Sequence, residues 1–142
     1  MRIRQSEQAE PLYEESVLRF FAFLHGYKTF THLVDRFLTD FAKDTNAKGV
    51  PSSKVEIFEK TMEFIAGELP KGIVRNRTTT PLNLYEAIAV GTALVFEAGK
   101  QPKPGLLNAL LQDQGLQKFT QGGTNSKAMV VGRIEYVRDA LL

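Results

Sequence analysis

Residues 75–99, RNRTTTPLNLYEAIAVGTALVFEAG, constrain this chain more than any other stretch, because a basic, hydroxyl-rich lead opens directly into a long apolar helical pattern. Thr80 is a good N-cap, and Pro81 falls at the first helical position, where the missing N–H would have had no partner. Leu84, Ile88, Gly91 and Val95 share one stripe, and Tyr85, Ala89, Thr92 and Phe96 share the next. A helix apolar over so wide an arc must be covered by other elements, so the rest of the chain is predicted to pack around it. Gly99 supplies the stop.

The chain has 142 residues, enough for one domain with a sizeable core. It contains no cysteine, so no disulfide holds it, and a reducing, cytoplasmic setting is the expectation. Glu86 and Glu97 interrupt or border the most apolar stretch, and no secretory leader pattern opens the sequence, so neither membrane spanning nor secretion is expected. A formal net charge of +2 is too small to argue for nucleic acid from the whole protein. Only local clustering of charge can do that.

Residues 1–11 are polar, aperiodic and end in a proline, as in a flexible segment or the cut end of a longer chain; residues 12–142 read as a single helical domain. Val17, Phe20, Phe21 and Leu24 mark a first helix ended by Gly26. Arg19 lies inside this aromatic run. It is read either as a structural arginine that snorkels or pairs with Glu15, or as a buried ion pair or phosphate ligand. Thr29 is positioned to cap a second helix through Leu33, Val34, Phe37, Leu38 and Phe41, followed by a loop, AKDTNAKGVPSS. Ser53 and Glu56 form a capping-box pattern for a third helix through Val55, Phe58, Met62 and Ile65, finished by Gly67 and Pro70. After the central helix and a proline linker come a short leucine-rich helix broken by Gly115, a glycine turn, and a last helix with Val130, Ile134, Val137 and Leu141 facing inward. The expected fold is all-α, with about six helices around the central one.

Two polar loops are candidates for chemistry. GGTNSK at 122–127 places Thr124, Asn125, Ser126 and Lys127 at a helix start, where unpaired N–H groups and the helix dipole favour an anion, although a simple turn with a cap explains it as well. It lacks the spacing of a P-loop. Arg75 and Arg77 with Thr78, Thr79 and Thr80 offer two guanidinium forks and three hydroxyls suited to phosphate, against the simpler reading of a solvated basic loop. Asn83 and Glu86 read as capping and charging the central helix. Two histidines, His25 and His32, and no cysteine make a poor basis for a metal site, and no cofactor is implied. Arg19 and His25 have the RxxxxxH spacing of HEPN-class ribonucleases, but Phe20 stands where that class usually has a polar residue.

Three separated stretches, 13–43, 75–94 and 118–141, resemble in order the helical second half of the domain-of-unknown-function 262 family, which includes GmrSD-type restriction and phage-defence proteins. The resemblance implies a module that works beside a ParB-like nucleotide-hydrolysing domain and a nuclease domain of the same system. The DGQQR signature of the former and the histidine-rich motif of the latter are absent from these residues. The resulting expectation is a non-catalytic helical module with a DNA-facing or domain-docking surface, edged by Arg75, Arg77 and Thr80 on one side and by Thr124, Asn125, Lys127 and Arg133 on the other. A protein-interaction or dimerisation module without nucleic acid, possible as a homo-oligomer, is the alternative, and a HEPN-like ribonuclease the second.

Overall fold

A computed structural model describes residues 15–31, 33–73, 82–121 and 125–142. Among them are seven helices and no strand: α1, helical over 15–26, α2 (Val34–Lys48), α3 (Ser52–Glu68), α4 (Leu82–Glu97), α5 (Leu107–Leu111), α6 (Gln114–Thr120) and α7 (Lys127–Leu141). The all-α expectation holds, and α4 is the element the others cover. Among α2 to α7, α7 packs on it most extensively, followed by α3; α6 lies on α7, and α5 on α3. No helix among the described residues is long and apolar enough to cross a membrane.

The wide apolar arc of α4 translates into burial of Leu84, Glu86, the run Ala87 to Ala93, and Val95. Gly91 lets α7 come close, since a Cβ there would lie 2.7 Å from Val137 Cβ and 2.9 Å from the Ile134 carbonyl oxygen. The helix ends in a Schellman arrangement: Gly99, at φ 76°, donates to the Phe96 carbonyl and Lys100 donates to the Val95 carbonyl. Thr80, expected as the cap, and Pro81 lie outside the described residues, as do residues 1–14.

An aromatic cluster joins the first three helices. Phe23 of α1 stacks on Phe37 of α2 at 4.9 Å, and Phe20 meets Phe58 of α3 edge-on at 5.2 Å. Local rules predicted this half less well. Thr29 does not cap α2, whose N-cap is Leu33; the Thr29 hydroxyl instead donates to the Gly26 carbonyl and closes the end of α1. The segment expected as a loop after Phe41 continues α2 to Lys48, because nothing in AKDTNAK breaks a helix and Asp44 pairs with Lys48 one turn on. Gly49, at φ 79°, makes the break. Ser53 and Glu56 form no capping box; the N-cap of α3 falls two residues earlier, at Pro51, with no side-chain cap.

The break expected at Gly115 is instead the start of α6. Asp113 caps it by accepting from the Leu116 N–H at 3.1 Å, and the same Oδ1 accepts from the Tyr136 hydroxyl at 2.8 Å. The bond from Tyr136, and then that from Leu116, hold the Asp113 carboxyl below its ordinary pKa, and the first of them pushes the Tyr136 phenol up. A Cβ on Gly115 would collide with the Tyr136 ring, so this glycine provides clearance rather than a stop.

Candidate functional site

Ordinary helical periodicity carries three charged residues to the inside. Glu86 is one turn before Val90 on α4, Arg133 lies between Val130 and Val137 on the inner stripe of α7, and Arg19 precedes Phe23 by one turn on α1. Arg133 and Glu86 are completely inaccessible, and Arg19 is 4 % exposed. Glu86 joins the two: Oε1 accepts from Arg19 Nη2 and Oε2 from Arg133 Nε, each at 2.8 Å. Removing such ions from water costs several kcal/mol apiece (~) and is offset only when each is closely paired and hydrogen-bonded.

Arg133 spends its other nitrogens on protein oxygens, whereas the buried Arg19 Nε has no hydrogen-bond partner. Arg133 Nη1 donates to the Phe119 carbonyl at 3.2 Å, and Nη2 donates to Asn125 Oδ1 at 3.0 Å. Arg19 Nη1 lies 3.7 Å from Glu15, whose side chain is 44 % exposed, so a second carboxylate offsets the surplus positive charge from the rim. The Arg19 guanidinium also sits 5.7 Å from the Phe23 ring centroid. The cluster therefore ties α1, α4, α7 and the α6–α7 connection together. Both pairings read for Arg19 form: the close buried ion pair with Glu86 and the longer contact with Glu15 one turn earlier.

The expected anion-binding edge is rearranged by these contacts. Arg133 points into the core rather than toward a surface, because α7 turns it onto Glu86. Asn125 is half-buried and engaged with Arg133. Ser126 caps α7 by accepting from the Met129 N–H at 3.3 Å, which is the turn-and-cap reading of this loop. Lys127 remains exposed in the first turn of α7. Arg75, Arg77, Thr80 and Thr124 lie outside the described residues, as does His32.

Arg19 and His25 do not meet in one site. The former is spent on Glu86, while His25 is exposed and packs its ring 5.7 Å from Phe41. Among the described residues no cluster of three or more His, Asp or Glu side chains is arranged to hold a metal ion. Beyond the charged centre, a surface cavity of about 330 Å³ opens where α1, α2 and the start of α3 converge, lined in part by Phe21, His25, Phe41 and Val50. The sequence carried a usable signal for the charged centre, namely charges of opposite sign at inward positions of three helices, but not for which would pair. Comparison with protein-family models, with curated proteins and with solved structures finds no match to this chain.

Proposed function

We propose that this chain is the non-catalytic helical module of a restriction or phage-defence type protein, acting in the cytoplasm, and that it docks a neighbouring domain rather than gripping DNA through α7. The partner would be a ParB-like nucleotide-hydrolysing domain or a nuclease domain of the same system. The proposal starts from the three stretches that resemble the domain-of-unknown-function 262 family. One observation favours docking over DNA contact: the Arg133 guanidinium, a candidate for the DNA edge, is spent inside the protein on Glu86, Phe119 and Asn125. Among the described candidates Lys127 alone keeps an exposed charge there, and a single exposed lysine supplies little of the phosphate neutralisation on which DNA affinity depends.

The test is anisotropy of a labelled duplex titrated with this chain at low and at moderate salt, comparing the wild type with Lys127→Ala and with the double variant Arg75→Ala, Arg77→Ala. Docking predicts no saturable, salt-sensitive binding by any of the three. Tight binding that weakens steeply with salt and is lost in the variants would establish the DNA-facing alternative. Sedimentation of the isolated chain, run beside it, tells whether its partner is a second copy of itself.

A further inference from the structure

The cavity between α1, α2 and α3 is built by helical spacing. Phe21 and His25 are one turn apart on α1, and Phe41, Thr45 and Lys48 follow one stripe of α2. Gly49 then turns the chain, so that Val50 and Pro51 close a third side and Lys54, in the first turn of α3, a fourth. Its volume of about 330 Å³ falls at the lower end of the range of small-molecule sites, roughly 300–1,000 Å³. Three rings contribute: Phe21, stacked on Phe58 at 5.4 Å, Phe41, and the His25 imidazole tilted over Phe41. Such walls accept a flat ring by offset or edge contact.

The charges at the mouth are unequal. Lys48 and Lys54 stand against one lining carboxylate, Asp44, which already pairs with Lys48 at 3.2 Å. Lys54 pairs with Glu97, outside the lining. The Lys48 side chain is 75 % exposed, so its pair with Asp44 is a weak surface contact that an incoming anion can displace. The first turn of α3 carries no acidic residue and no side-chain cap, which leaves its positive end available to the same anion.

We infer that this cavity is a binding site for a small aromatic ligand carrying one negative charge, such as an aryl carboxylate, with the ring between Phe21 and Phe41 and the carboxylate toward Lys48. This is independent of whether the module docks a domain or meets DNA. Asp44 and the ring faces would attract a cation, but Asp44 already pairs with Lys48, and the two lining lysines oppose a further positive charge; lysines without an arginine fork suit a carboxylate better than a multiply charged phosphate.

The test is an amide NMR titration of the isotope-labelled chain with naphthoate, its neutral amide and naphthylmethylamine. Naphthoate is expected to shift the Thr45, Gly49, Val50 and Lys54 resonances saturably, with the neutral amide binding several-fold more weakly and the amine more weakly still. Lys48→Glu should weaken naphthoate roughly fivefold, and Val50→Trp, at an exposed loop position, should abolish it by filling the space. Unchanged resonances on α4 and α7 show that both variants are folded. Absence of saturable shifts, shifts centred elsewhere, equal binding of the amine, or undiminished binding by Val50→Trp would each overturn the assignment.

Discussion

Glu86 Oε2 accepts from Arg133 Nε at 2.8 Å between two side chains that are both fully inaccessible to solvent. With Arg19 on the other carboxylate oxygen, this pair makes the centre of the fold polar at the point where three helices meet.

Removing the carboxylate alone should be costly, because it leaves two buried guanidinium groups without their anion. Glu86→Leu is expected to lower unfolding stability by about 3–5 kcal/mol, read from the denaturant midpoint at constant slope. The triple variant Arg19→Met, Glu86→Leu, Arg133→Met should recover most of that loss. If the triple variant were as unstable as the single one, the cluster would hold the fold by something other than charge compensation.

Two glycines should respond to alanine with opposite signs. Gly91→Ala drives a methyl into Val137 and the Ile134 backbone and should cost about 1–3 kcal/mol. Gly67 lies in α3, exposed, with nothing near its missing Cβ, so Gly67→Ala should stabilise by roughly 0.5–1 kcal/mol. Thermal unfolding of the two variants beside the wild type decides both.

Thr61, fully buried on α3, keeps a hydroxyl oxygen with no hydrogen-bond partner. Thr61→Val preserves the shape and removes the unsatisfied group, so it should raise stability by about 1 kcal/mol. A loss of stability in the same denaturation experiment would show that the hydroxyl is paired in solution.

Alkaline pH should act through Tyr27. Burial first, and then its hydrogen bond to Glu135 at 2.6 Å, push its phenol up to about 12. The folded protein thus favours the neutral form, and this contribution to stability is fully present below pH 10.0, the ordinary phenol value, and is lost as pH rises towards about 12. Tyrosinate absorbance should show late-titrating phenols, Tyr136 among them, and Tyr27→Phe should remove the latest of these. The variant's stability should also fall less steeply over that interval.

Much of the fold was legible in the chain because helical periodicity and stop signals are local. The α4 pattern announced its burial, and Gly99 announced its end. Side-chain caps were less legible, since Thr29 and Ser53 each had a competing geometry that only neighbouring turns decide. The ring-lined cavity was not visible at all: it requires α2 to run on to Lys48 and Gly49 to turn the chain, where the residue types suggested a loop.

The sequence by itself determined an all-helical chain wrapped around residues 82–97, because amphipathic spacing can be satisfied only by burying that segment. Tertiary structure alone decided what the inward charges do. Arg19 and Glu86 are 67 residues apart, and Glu86 and Arg133 are 47 apart, so no local rule joins them. Their pairing follows from the low dielectric of the core they share, where an arginine that could have faced solvent is held by the nearest buried carboxylate.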